Sequence, residues 1–435
     1  MKRRIFLLAL SLACCPAPAQ TSQWMHEQLA AERHAKLLLA RPAVQQEIAA
    51  LETKWRQRWP SLRPSTLQQA RGSLEELAFL VATETVNNDP RRPEIVQISM
   101  PPHRWFGEQV PGGRWGIDNP DTQYFMMPVE AESAYVITGK RAPHGPADVN
   151  VSFGNLERWS TIANLGKNQL AVEADGSYTI TLDTALVSGR KNHIQLTHDG
   201  NCILIRNTLA DWNTDTIDRM TVRRVAGPDP LAAADDAALE RAAIERLRSI
   251  LDRAIDTLQA PVLALPVNFL PQPGKTGDKA GFLATQRNAL GHFRLANDEA
   301  LVITIEPGGA GYSAVPVTNV WGVSPDYWRL TTSLNNRQAV PNADGSFTVV
   351  VAGWDPSVAN WVNTAGLEEG TVMLRWQVLP GAGSGSAEPA VRSTLVKREQ
   401  LAAALPPSMV FYDSKQRAQQ IKKRKEGFAR RLAGR

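Results

Sequence analysis

The sequence predicts an α+β, mainly β fold: two homologous antiparallel β-sandwich units of jelly-roll-like form, with an N-terminal helical region, a bridging helix and a C-terminal helix. Two observations predict it. One β-rich stretch is written twice: Trp159, Leu165, Gln169, Asp175-Gly176-Ser177, Thr179 and Arg206 recur at a constant offset as Trp328, Leu334, Gln338, Asp344-Gly345-Ser346, Thr348 and Arg375. The apolar period is also two inside both copies, and helical before, between and after them.

In chain order, Lys2-Arg3-Arg4, the short apolar run Ile5 to Cys15 and Ala17-Pro18-Ala19 read as a cleaved signal peptide over residues 1–19. The run is too short to span a bilayer. The expected location is therefore periplasmic or secreted, with lipidation at Cys14 or Cys15 as the alternative. After cleavage only Cys202 remains, so no intrachain disulfide is expected. Cys202 sits in the strand-like run Cys-Ile-Leu-Ile and reads as a small buried hydrophobe.

Residues 20–90 form the helical region, with apolar spacing in Leu29, Leu37 and Leu38 and again in Ile48, Leu51, Trp55 and Trp59. Pro42 and Pro60 divide it into three pieces. The first β unit spans 94–226, with strands around Tyr135, Tyr178 and Ile203. Residues 231–259 are an amphipathic bridging helix, with Leu247, Ile250, Leu251 and Ile255 on one face. Pro261 to Lys279 is a linker, the second β unit spans 281–380, and Gly381 to Glu388 is flexible. A basic helical tail occupies 390–435, its helix at 413–433.

The 435 residues carry a net charge of +5, much of it in that tail, so the folded body is close to neutral. Nucleic acid is not an expected partner, because its binders carry a basic stripe across a folded face. The tail reads as a solvated helix, or as a weak contact with an anionic membrane surface.

Several segments together resemble one bacterial family, the domain of unknown function numbered 1214. They are Arg114-Trp115-Gly116-Ile117-Asp118-Asn119-Pro120-Asp121-Thr122-Gln123-Tyr124, Tyr135-Val136-Ile137-Thr138-Gly139-Lys140, and Asn192-His193-Ile194-Gln195-Leu196. The second copy adds Asp355-Pro356, Asn360-Trp361-Val362-Asn363-Thr364-Ala365-Gly366 and Arg375-Trp376. The resemblance covers about 104–224 and 285–380 and implies an exported β-sandwich protein with no general activity assigned. The first copy departs from the pattern: it places His193 where the second has Trp361, and it lacks Asp355-Pro356.

The leading candidate site is Asp355, Asn360, Trp361, Arg375 and Trp376 in the second copy. A guanidinium fork holds a carboxylate, sulfate or phosphate by parallel hydrogen bonds, and a Trp face stacks on a sugar or apolar ring. The plainer alternative pairs Arg375 with Asp355 and buries the Trp residues. A second candidate is the segment Asp118-Asn119-Pro120-Asp121 with Tyr124, whose clustered oxygens suit calcium or a substrate hydroxyl; turn capping is its plainer alternative. His292, aligned by sequence with Tyr124, is a candidate general acid or base, as is Asp355.

No His-Glu-x-x-His or Cys-x-x-Cys is present, so a zinc site has no sequence support, and no metal ligand or cofactor is assigned. There is no phosphate loop, nucleophile elbow or dinucleotide fingerprint. The function expected is binding of a saccharide or an anionic or hydroxylated small molecule in a Trp/Arg-lined cleft. The alternatives are a periplasmic hydrolase or lyase using Asp355 or His292 with Arg375, and an envelope-assembly protein.

Overall fold

The structure, a computed structural model, describes residues 23–230, 232–275, 283, 285–381 and 386–433. The expected signal peptide, with Cys14 and Cys15, lies outside them, as do 276–279 of the expected linker and 382–385 of the Gly/Ser segment.

The N-terminal region is four helices: α1 (Gln23–Leu39), α2 (Pro42–Arg58), α3 (Pro64–Gln68) and α4 (Ala70–Val86). Pro42 and Pro64 open helices from the first turn, where the missing N–H costs nothing. The α4 helix is the central one, buried over most of its length.

The first unit begins with β1 (Val96–Ile98) and a small hairpin, β2 (His103–Trp105) and β3 (Glu108–Val110). Its sandwich strands are β4 (Thr122–Pro128), β5 (Ala134–Lys140), β6 (Asp148–Asn155), β7 (Ser160–Gly166), β8 (Ser177–Asp183), β9 (His193–Gln195), β10 (Cys202–Thr208) and β11 (Arg219–Ala226). One sheet runs β1-β4-β10-β6-β7 and the other β11-β5-β8-β9. Phe125, Tyr135, Phe153, Ile180, Ile203 and Ile205 fill the space between them.

The bridging helix α5 (Asp236–Ala254) starts at Asp235, whose carboxylate accepts the Ala238 N–H at 2.7 Å. It widens into a π-helical turn, Ile255–Gln259, and ends in α6 (Ala260–Leu263), so Pro261 extends the helix rather than opening the linker. Leu247, Ile250 and Leu251 pack with Ile48, Trp55, Leu74 and Leu77, joining the bridge to the N-terminal helices in one core.

The second unit contains β12 (Arg287–Arg294), β13 (Glu299–Glu306), β14 (Tyr312–Thr318), β15 (Ser333–Asn335), β16 (Phe347–Ala352), β17 (Trp361–Asn363), β18 (Glu369–Gln377) and β19 (Ala390–Lys397). Its sheets run β12-β18-β14-β15 and β17-β16-β13-β19. This is the strand order of the first unit, element for element, with β1 added at the edge of the earlier copy. Even the departure from antiparallel pairing is repeated: β8 with β9 and β16 with β17 are both parallel.

The duplicated residues do the same work in each copy. Ser177 Oγ and Ser346 Oγ each donate to the preceding turn aspartate, Asp175 and Asp344, at 2.6 Å. Gly176 and Gly345 sit at φ +86° and +84°, which the turn requires and a side chain opposes.

The sequence boundary of the second unit is corrected at one point. Residues 390–397, expected in the helical tail, are strand β19, paired along its length with β13. After it come α7 (Leu401–Ala404) and α8 (Ser414–Ala433).

The α8 helix is not solvated on all sides. Arg417, Arg424 and Arg431, seven residues apart and so on one face, are buried. Arg417 lies over Trp361 at 5.0 Å, and Arg424 and Arg431 flank Trp212 at 4.4 and 4.8 Å. Arg424 also donates to Tyr327 O and to Ser333 Oγ of the second unit, and Arg431 to Pro120 O of the first. The helix therefore straps the two units together, with Phe428 turned inward. No helix among the described residues is long and apolar enough to cross a membrane.

Candidate functional site

Alternation along a strand decides which duplicated residues face the seam between the units. On β10, Ile203 and Ile205 enter the sandwich core, so Cys202, Leu204 and Arg206 point the other way. On β18, Val372, Leu374 and Trp376 enter their own core, so Met373, Arg375 and Gln377 point to the seam. Thr208 and Gln377, equivalents 169 residues apart, meet there, Thr208 Oγ donating to Gln377 Oε1 at 3.5 Å. A contact between equivalent residues marks a pseudo-twofold relation between the copies.

A cavity of about 190 Å³ opens at this seam. Its lining includes the polar Glu84, Asp118, Asn119, Tyr124, Arg206 and Arg375 and the apolar Leu80, Ile98, Trp115, Trp159, Leu204 and Leu258. Leu258 is delivered by the π-helical turn after α5, an irregularity often found at functional sites.

Backbone strain gathers on the same walls. Ser99, Ile117 and Trp159, all in the lining, have φ of +57°, +59° and +51°. For the β-branched Ile117 this is a genuine outlier. It is held by its N–H to Gly322 O at 2.9 Å and by its carbonyl, which accepts from Arg375 Nη2.

Arg375 is 5% exposed, and its other terminal nitrogen, Nη1, is buried with no hydrogen-bond acceptor. Arg206, 7% exposed, donates to Ser152 Oγ at 3.4 Å. Burial, and then the nearby Arg375 charge, push the Arg206 guanidinium below its usual range. Trp115 Nε1 is a second buried donor without an acceptor in the lining.

Tyr124 Oη accepts the Asn119 N–H at 2.9 Å, and burial raises its pKa. Asp118 accepts from Ser324 Oγ at 2.7 Å and from Ser324 N–H at 3.2 Å. Burial outweighs those bonds and lifts its carboxyl to about 6. The Cys202 thiol, raised by burial to about 12, is no nucleophile.

The predicted site residues separate. Asn119, Tyr124 and Arg375 share the cavity. Asp121 sits behind it, its carboxylate taking hydrogen bonds from Trp212 Nε1, Tyr312 Oη and Asn335 Nδ2 at 2.8, 2.7 and 2.9 Å. Trp376, next to Arg375 in sequence, is on the opposite face of β18 and fully buried, its indole bonded to Glu306 O at 3.1 Å.

Asp355 does not meet Arg375. It pairs with Arg417 of α8 at 2.9 Å, and Trp361 is covered by that same arginine while bonding Ala352 O at 3.0 Å. Asn360 brackets the chain at Val340, accepting its N–H at 2.8 Å and donating to its carbonyl at 2.7 Å. Asn192 does the same at Ala171 in the first copy.

His292 is also elsewhere. The registers put Tyr124 opposite Arg206 and Asn288 opposite Arg375, so Asn288, not His292, takes the place of Tyr124. His292 pairs with the buried Glu369 at 3.1 Å, beneath the start of α3. The lining comes mostly from the first copy, where the sequence pointed to the second. Trp115, Trp159, Leu204 and Arg206 are the residues that sequence reasoning missed. The recurrence of Arg206 as Arg375 was the signal that could have found the pair.

Among solved structures, the chain is similar to an uncharacterised protein from Burkholderia cenocepacia, 26% identical, with a TM-score of 0.69 over 85% of this chain and 100% of that one. That likeness agrees with the α+β arrangement of two sandwich units. The VPA0106 protein from Vibrio parahaemolyticus matches at 11% identity and a TM-score of 0.40, over 64% of this chain and 90% of that one. No family model matches the sequence, and no curated protein matches it.

Proposed function

We propose that this protein binds a small organic anion in the seam cavity between its two sandwich units. The observation that carries the reading is Arg375 Nη1, a buried cationic donor with no acceptor, in a lining it shares with Arg206. A buried charge is costly unless it is paired, and a guanidinium is the side chain best shaped to hold an oxyanion. A neutral saccharide would bring Arg375 no countercharge.

The reading includes export to the periplasm or beyond, on the N-terminal sequence, and kinship with the family numbered 1214, on the segments quoted above. A hydrolase or lyase built on Asp355 or His292 is not favoured, because neither lines the cavity, Asp355 is held in an ion pair with Arg417, and His292 is hydrogen-bonded to Glu369.

The test is thermal unfolding of wild type and Arg375→Met with acetate, benzoate and sulfate at constant ionic strength. At least one anion should raise the wild-type midpoint and leave the variant unmoved. Equal responses in the two proteins, or none in either, would overturn the reading.

A further inference from the structure

We infer that a single water molecule is bound as a structural part of this protein, bridging Gln97, Ser99 and His103 in a small cavity beside the seam cavity. Arg206 and Arg375 take no part in it, so the site does not depend on the anion reading.

The cavity lies among α1, α4, β1 and β2, which contribute Glu32, Leu80, Gln97 and His103 to its lining. Its volume is about 10 Å³, close to the smallest space that holds one water molecule. Leu80, Ile98 and Ser99 also line the seam cavity, so the two spaces are neighbours.

Three side-chain atoms of this lining are buried with no hydrogen-bond partner among the described residues: Gln97 Oε1, Ser99 Oγ and His103 Nε2. Gln97 is 3% exposed and His103 7%. Such atoms are uncommon in native proteins, because each has given up its hydration for nothing. Three of them around one space of water size point to a shared partner.

The donor and acceptor needs match a water. His103 Nδ1 is 2.9 Å from Pro101 O. A carbonyl only accepts, so Nδ1 carries the proton, and in the neutral ring Nε2 keeps a free lone pair. Gln97 Oε1 is also an acceptor, and the Ser99 hydroxyl can donate. One water gives a hydrogen to Nε2 and another to Oε1, and accepts the Ser99 hydroxyl proton. That makes about the number of bonds a buried water usually forms.

The neighbours do not meet these needs themselves. Glu32 Oε1 is 3.6 Å from His103 Nε2, beyond hydrogen-bonding reach. The Glu32 oxygens already accept from Gln28 Nε2 at 2.9 Å and Trp105 Nε1 at 2.8 Å. Thr83 turns its hydroxyl to Phe79 O at 2.9 Å. A cation is not favoured: no metal-ligating cluster is found among the described residues, and the lining brings one carboxylate, Glu32. The water also gives Ser99 a role. Its φ of +57° is uncommon for a residue with a side chain, and a hydroxyl bonded to the water helps hold it there, at the wall of the seam cavity.

High-resolution crystal structures of the full chain, as wild type and as the double variant Gln97→Met with His103→Phe, test this. Wild type should show one solvent peak within hydrogen-bonding distance of Gln97 Oε1, Ser99 Oγ and His103 Nε2. The double variant leaves one partner, too few to hold a water, and the peak should be lost. Wild-type density without the peak, a direct bond between any two of the three atoms, or a peak with the short, many-oxygen coordination of a cation would overturn the inference. So would a peak kept in the double variant. Should that variant not fold, ring-nitrogen NMR of histidine-labelled wild type at neutral pH decides. His103 should carry its proton on Nδ1 alone and show a cross-peak to a long-lived water. A proton on Nε2, or no such cross-peak, would count against the site.

Discussion

Arg206 and Arg375 occupy the same position in two copies of one sandwich, and both guanidinium groups line a single cavity. Duplication has thereby brought two like charges into one buried space. Each is on an inner strand of its sheet, flanked on both sides by paired strands, and each is buried.

The titration of Asp118 sets a pH dependence. Its folded-state pKa is raised by burial to about 6, above the unfolded value of roughly 3.9. The folded state thus binds the proton more tightly, and this contribution to stability is fully present below the unfolded pKa and lost as pH rises through 6. Asp118→Asn does not titrate there. Its stability relative to wild type should improve by about 2 to 3 kcal/mol between pH 4 and pH 8, at about 1.4 kcal/mol per pK unit. Urea unfolding at both pH values measures this, and a pH-independent difference would contradict it.

The strap formed by α8 is expected to contribute to global stability. Arg417 pairs with Asp355 through two nitrogens, at 2.9 and 3.1 Å, and also donates to Val358 O. Because Asp355 is 38% exposed, the pair is discounted for solvent screening. Arg417→Ala should cost about 1 to 3 kcal/mol, most of it from the lost Trp361 contact and the orphaned carbonyl. A double-mutant cycle with Asp355→Asn should return a coupling of about 1 kcal/mol. Zero coupling would show that the ion pair contributes nothing.

Asn360 and Asn192 should behave as equivalents. Each satisfies both backbone groups of one residue in a neighbouring segment, Val340 or Ala171. Asn360 is buried and Asn192 half-buried, and removing such a partner costs about 1 to 3 kcal/mol. Asn360→Ala and Asn192→Ala should therefore lower stability by similar amounts, read by urea unfolding, and leave anion affinity unchanged. Loss of affinity in a still-folded Asn360→Ala would return that residue to the binding site.

Much of the fold was legible in the sequence because the signals are local. Asp175-Gly176-Ser177 and Asp344-Gly345-Ser346 form the same turn wherever they stand, and period two marks the strands beside them. Period two also separates Arg375 from Trp376, since neighbours on a strand point to opposite faces. The place of β19 was less legible, because its residues alternate without a strong apolar face and its identity comes from pairing with β13.

The sequence by itself determined the duplicated strand order, the helical segments and the residues that recur. Only the tertiary structure decided which sheet faces met, and with that the site. Asp355 was drawn to Arg417, His292 to Glu369, and Arg375 to a cavity walled mostly by the other copy. The reason is physical. Turn geometry and side-chain alternation are set by neighbours along the chain. The partner of a buried charge is set by packing between elements hundreds of residues apart, such as the contact of Arg375 with Ile117.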